Sequence, residues 1–148
     1  MSHNDPVEIL LVEDNPNDVE LALHALKKNK VSNRIHVARD GEEALDFIFG
    51  KDANSGGPSD QRPKMILLDL KLPKVDGLEV LKRLKCDPRT RSIPVIMVTS
   101  SREEQDIVKS YDLGVNSYIV KPVDFEQFTE SIRQLGLYWM VMNQAPVQ

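Results

Sequence analysis

The run MILLDLKLP, residues 65–73, sets an aspartate, Asp69, directly after four aliphatic residues, where a buried strand would give way to a loop. Similar runs end in a similar way elsewhere: VEILLVED on Glu13 and Asp14, IPVIMVTSS on Thr99 and Ser100, and SYIVKP on Lys121 and Pro122. If these runs are strands of one sheet, three carboxylates, a hydroxyl and an ammonium share one rim. Carboxylates held that close repel, and each has its pKa raised unless a cation sits among them. Mg²⁺ answers that need, because it takes oxygen ligands and commonly uses one or two carboxylates together with phosphate oxygens. A metal held this way also screens Asp69, so that an anionic carboxylate can attack an anionic phosphorus centre. Lys121 would neutralise charge on the transferred group, and the Thr99 hydroxyl would donate a hydrogen bond to it. The chemistry implied is formation of an aspartyl phosphate.

Each of these residues has a plainer use when taken alone. An aspartate at a strand end is more often a helix N-cap or turn former than a nucleophile. Here Asp76 already supplies the cap for the helix that follows Asp69. Asn15 is the better cap for the first helix, which leaves Glu13 and Asp14 without a structural task, and Ser101 takes the cap of the fourth helix more naturally than Thr99 or Ser100. A lone Lys121 would be a solvated loop residue. Their joint occurrence at strand ends favours the chemical reading.

The elements that must position them alternate. VEILLVED, KMILLDL and IPVIMVTSS are short, continuous aliphatic runs, as strands buried on both faces of a parallel sheet are. SNRIHVARD and VNSYIVKP are weaker and belong nearer the edges. Between them lie helical patterns: Val19, Ala22, Leu23 and Leu26 fall at i, i+3, i+4 and i+7, behind Asn15 and Pro16. Asp40 with Glu43, Asp76 with Glu79, Ser101 with Glu104 and Asp124 with Gln127 resemble capping boxes, the last two in variant form. Strand and helix thus alternate five times, which implies one doubly wound α/β domain with a parallel sheet and right-handed crossovers. In such a sheet ligands bind beyond the carboxyl ends of the strands, the rim that carries the candidate residues. Gly50 to Pro63, rich in Gly, Pro, Ser and Asp, reads as one long surface loop.

The motifs LLVEDN, ILLDLKLPKVDG, VIMVTSS and SYIVKPVD resemble those of receiver domains of two-component response regulators, over roughly residues 7–137. The resemblance implies a flavodoxin-like sheet of five strands in the order 2-1-3-4-5 with five helices. It implies Mg²⁺ bound by Glu13, Asp14 and Asp69, with Asp14 the more direct ligand of the acidic pair, and by the backbone carbonyl of Lys71. Asp69 matches the phosphoacceptor, and Thr99 and Lys121 match the hydroxyl and lysine that act with it. Tyr118 matches an aromatic that turns with Thr99 during switching, and Pro122 a proline that follows a cis peptide. Within the family, the long loop, the PRTRSIPVIMVTSS stretch and Tyr138-Trp139 are similar to stand-alone regulators partnered with cyanobacterial and bacterial phytochromes. That likeness implies a light-sensing histidine kinase as phosphodonor, and homodimerisation through the last strand and helix. One position departs from the commonest pattern: Lys71 puts a second ammonium two residues after Asp69, where it would pair with Glu13 or with the phosphoryl group and alter the lifetime of the phosphorylated state.

Composition agrees with this reading. One hundred and forty-eight residues suit one domain, with residues 138–148 a helical extension and tail. The single cysteine, Cys86, forms no internal disulfide, and no signal peptide or membrane span is evident, so a reduced cytoplasmic setting is expected. Nineteen basic against twenty-three acidic residues give a net charge of -4, which argues against a nucleic-acid surface. His3, His24 and His36 are too scattered for a metal site. Phe125, Phe128, Ile132, Leu135, Trp139 and Met142 form a stripe whose later part exposes enough apolar area to favour a subunit contact. The expected role is a switch rather than a turnover enzyme, with output through another protein or a further phosphotransfer. A Mg²⁺-dependent phosphohydrolase of the haloacid dehalogenase type is the alternative, but such enzymes usually carry a second aspartate where Lys71 stands. A flavodoxin-like cofactor binder would need a phosphate-cradling loop after the first strand, and EDNPND is too acidic for that.

Overall fold

A computed structural model describes residues 8–28, 34–50 and 62–122, with Asp124, Glu126 and Glu130. Five strands, β1 (Ile9–Val12), β2 (Ile35–Ala38), β3 (Met65–Leu68), β4 (Val95–Thr99) and β5 (Ser117–Val120), alternate with four helices, α1 (Pro16–Lys28), α2 (Gly41–Phe49), α3 (Gly77–Cys86) and α4 (Glu104–Asp112). The strands form one parallel sheet in the order β2-β1-β3-β4-β5. The expected fifth helix, the long loop between α2 and β3 and the apolar stripe through Trp139 lie largely or wholly outside the described residues.

The two-residue period of a strand sorts the aliphatic runs onto two faces. Leu10, Val12, Ile66, Leu68, Val95 and Met97 turn one way, against Leu45 and Ile48 of α2 and Val80, Leu81 and Leu84 of α3. Ile9, Leu11, Met65, Leu67, Ile96 and Ile119 turn the other way, against Val19 and Leu26 of α1. β1 and β3 are buried throughout, whereas the edge strands β2 and β5 are mostly half-buried, as their weaker patterns imply. At ~25 cal/mol per Å² of apolar area buried, these two layers supply most of the force that closes the sheet between its helices.

Helix starts follow the capping signals at three positions. Asn15 Oδ1 accepts from the amides of Asn17 and Asp18 at 2.8 and 3.2 Å. Asp40 accepts from the Glu43 amide at 2.7 Å, and Asp76 from the Glu79 amide at 3.0 Å. Asp124 accepts from the Glu126 amide at 2.9 Å, while Gln127 lies outside the described residues. Ser101 corrects the expectation. The residue before α4 is Glu103, which makes no side-chain cap, and the Ser101 hydroxyl donates instead to Asp106 Oδ2 at 2.6 Å. The hydroxyl oxygen still accepts from the Glu103 amide at 3.3 Å, but that amide precedes the helix, and the proton goes to the charged acceptor in its first turn.

The loop from Asp69 to Asp76 is clamped by two glycines at helix starts. A Cβ on Gly77 would collide with the carbonyl of Asp69, and one on Gly41 with the carbonyl of Val75. Their amides use the room: Gly77 N–H donates to Leu70 O at 2.7 Å and Gly41 N–H to Pro73 O at 3.2 Å.

Candidate functional site

The sheet ladder runs one residue beyond three of its strands. The amides of Glu13, Asp69 and Lys121 donate to the carbonyls of Ala38, Val12 and Thr99 at 2.9, 3.0 and 2.8 Å. Three site residues are thereby held by backbone pairing rather than by loop packing. Glu13, Asp69 and Thr99 are buried at 4 %, 8 % and 1 % exposure, while Asp14 is exposed.

Lys121, which precedes Pro122 through a cis peptide, is the hub. Its Nζ donates to Glu13 Oε1 at 2.5 Å, Asp18 Oδ2 at 2.9 Å and Asp69 Oδ2 at 3.3 Å. Glu13 Oε2 accepts from the Asn15 amide at 3.1 Å, so both oxygens of Glu13 are engaged. Oxygens of Glu13, Asp14 and Asp69 lie within 4.8 Å of one another, a spacing that a single cation can serve. Three carboxylates, those of Glu13, Asp18 and Asp69, thus face one ammonium, and Asp14 stands beside two of them. Burial raises the pKa of Glu13, and the charge of Asp69 adds to this against the opposing bond from Lys121. Burial works to lower that of Lys121, but the bonds to Asp18 and Glu13 and the charge of Asp69 outweigh it, and the net shift is upward.

Thr99 Oγ1 accepts from the Ser101 amide at 3.4 Å. Tyr118 packs against the core layer of α2 and α3, and its hydroxyl donates to the Ser101 carbonyl at 3.1 Å. Burial raises the tyrosine's pKa, assisted by the charges of Asp106 and Asp69 and opposed by the Ser101 bond. Ser101 thus links the Thr99 strand end, Tyr118 and the first turn of α4. An open cleft of about 520 Å³ lies over the rim, walled by Asp14, Lys71, Pro73, Asp76 and Asp106 among others.

The residues assigned to the site from sequence, Glu13, Asp14, Asp69, Lys71, Thr99, Tyr118 and Lys121, stand at this rim or border it. The pairing of Lys71 with Glu13 is not formed: Glu13 is held by Lys121, and Lys71 is an exposed wall of the cleft. Sequence reasoning missed Asp18, whose only local signal is an acid in the first turn of α1. His24 is exposed, and His36 stacks on Phe47 with ring centroids 4.1 Å apart, so neither joins the site.

Residues 9–133 match the family model for the response regulator receiver domain. The chain belongs to the receiver-domain family. The probable methanogenesis regulatory protein FilR2 of Methanothrix harundinacea is 42% identical to this receiver over 142 residues, covering 96% of this chain and 89% of that protein. The structure of the bacteriophytochrome response regulator AtBRR superposes with a TM-score of 0.78 at 54% identity, covering 94% of this chain and 99% of that one. The Mn(2+)-bound form of response regulator Rcp1 superposes with a TM-score of 0.73 at 35% identity, covering 96% of this chain and all of that one; Rcp1 comes from Synechocystis sp.. The receiver therefore resembles phytochrome response regulators, as its motifs imply. Among the described residues no helix is long and apolar enough to cross a membrane.

Proposed function

We propose that this receiver is a phosphorylation switch whose acceptor is Asp69. The observation that carries the proposal is the Lys121 ammonium set between Asp69 and an acidic cluster that it neutralises only in part. An oxygen of Asp69 attacks the phosphorus of a phosphohistidine on a sensor histidine kinase. The P–O bond forms as the P–N bond breaks, and the imidazole leaves with the bonding electron pair and takes up a proton. Bound Mg²⁺ would supply charge neutralisation for the acceptor and the transferred group.

The residues fit that ion. Asp14, exposed at the cleft, and Asp69 would hold it through their carboxylates, and by family likeness the backbone carbonyl of Lys71 would join them. Glu13, with both oxygens engaged by Asn15 and Lys121, would contribute its charge to the site. Lys121 meets the charge on the transferred group, and Thr99 turns its hydroxyl toward it. That movement is coupled through Ser101 to Tyr118 and α4, the surface a downstream protein or phosphotransfer partner reads. Likeness to the bacteriophytochrome response regulator AtBRR supports a phytochrome as the kinase, and with it we propose a homodimer through the last strand and helix and a cytoplasmic setting. The protein is a switch and not a turnover enzyme: Lys71, which cannot serve as a general acid in the way an aspartate would, counts against the phosphohydrolase reading.

Intact mass after incubation with acetyl phosphate tests the core of this. The expected result is a gain of about 80 Da, one phosphoryl group, that needs Mg²⁺ and disappears in Asp69→Asn. A gain that survives Asp69→Asn, or no gain from acetyl phosphate or any histidine kinase, would overturn it. Transfer from an autophosphorylated phytochrome kinase, faster than from kinases of other input classes, is the corresponding test of the partner.

A further inference from the structure

We propose that Asp18 is a positioning residue for Lys121, anchoring the ammonium so that one of its N–H bonds is aimed at Asp69. The inference rests on the reading of Asp69 as phosphoacceptor. An ammonium has three N–H donors, and here each has a carboxylate: Glu13 at 2.5 Å, Asp18 at 2.9 Å and Asp69 at 3.3 Å. The two shorter bonds fix where the third points. Lysine reaches the rim on four flexible methylenes, and without fixed partners it would lose that aim to rotamer freedom.

Asp18 is suited to the task because its own backbone is held: its amide donates to Asn15 Oδ1, the cap of α1. It also stands outside the three acids whose oxygens cluster as a cation site. Its work is therefore separable from metal binding. Phosphorylation of Asp69 adds an oxygen-rich group beside Lys121 while Glu13 and Asp18 keep their hold, so the ammonium need only turn and not search. The competing role, a carboxylate favouring the positive end of α1, would act on helix stability and leave Lys121 untouched.

Asp18→Asn keeps the side chain's size and the helix cap, and three readouts decide its role. In wild type the Lys121 ammonium should give a slowly exchanging ¹H–¹⁵N correlation, lost to solvent exchange in Asp18→Asn. The rate of phosphorylation by acetyl phosphate should fall about tenfold, as small misplacements of a reacting group do, with Mg²⁺ affinity unchanged. In a Lys121→Met background, adding Asp18→Asn should change the rate no further, because the residue acts only through the lysine. An unaltered ammonium signal in Asp18→Asn, or an equal fall in rate with Lys121 already absent, would overturn the proposal. If wild type accepts no phosphoryl group, the acceptor reading fails, and the ammonium signal still decides whether Asp18 anchors Lys121.

Discussion

Two half-buried lysines sit at opposite ends of the sheet and shift in opposite directions. Lys121, at the carboxyl rim, donates to three carboxylates and has its pKa raised. Lys85, in the last turn of α3, donates to the carbonyls of Arg91 and Ile93 in the connection to β4 at 3.0 and 2.8 Å and has its pKa lowered by burial. The burial penalty is common to both, so the difference lies in the partners. Neutral carbonyls tie Lys85 to a turn without compensating its charge, whereas the rim surrounds Lys121 with more negative charge than it can cancel. One lysine serves as a structural peg. The other is the counter-charge of a largely buried acidic cluster.

The largest effect that would sharpen this contrast is expected from Lys121→Met. It leaves Glu13 and Asp69 buried together without their counter-charge, and should cost about 3 kcal/mol in urea unfolding at neutral pH. Stability equal to wild type would mean that the acids are hydrated well enough not to need the lysine. Mg²⁺ comes next. A metal that binds the surplus acids only in the folded state stabilises it, by about 2.7 kcal/mol at a hundredfold excess over its Kd. The rise in melting temperature should be much reduced in Asp14→Asn, and an undiminished rise would place the ion elsewhere.

The same contrast explains how far the sequence could be read. Buried strands, helix order and the rim were legible because aliphatic runs that stop at Glu13, Asp69, Thr99 and Lys121 need no knowledge of distant contacts. Strand order followed from run strength and family likeness, and β2 and β5 are the edges. Asp18 was not legible, because its partner lies 103 residues away and a first-turn acid already has an adequate local explanation. Ser101 was misread for a related reason: the spacing to Glu104 resembles a cap, but nothing in that spacing reveals that the helix starts only after Glu103 and that the hydroxyl donates to Asp106. Lys71 could not be assigned a partner, because the sequence does not say that Lys121 reaches Glu13 first.

At the opposite end, Lys85→Met should cost only about 1 kcal/mol. Two carbonyls lose a donor, but the penalty for burying an uncompensated ammonium is removed with it. A loss as large as that of Lys121→Met would erase the distinction between peg and counter-charge.

The smallest effect on stability should come from the Asp87–Arg89 pair of the same turn, although its pKa shift is large. The Arg89 guanidinium and backbone amide both donate to the Asp87 carboxylate, at 2.8 Å in their shortest contacts, and lower its pKa to about 2. A folded-state value below the ordinary 3.8 means that the native state holds the proton less tightly than the unfolded chain. The contribution is therefore present above the unfolded value and is lost as pH falls through about 2. Water screens the exposed pair, unlike the rim, so little of the shift survives as stability. Arg89→Ala should return the Asp87 carboxyl titration, followed by NMR, toward the ordinary carboxylate range while the urea midpoint at neutral pH barely moves. A clear drop in that midpoint would show that the pair, and not Lys85, holds the turn.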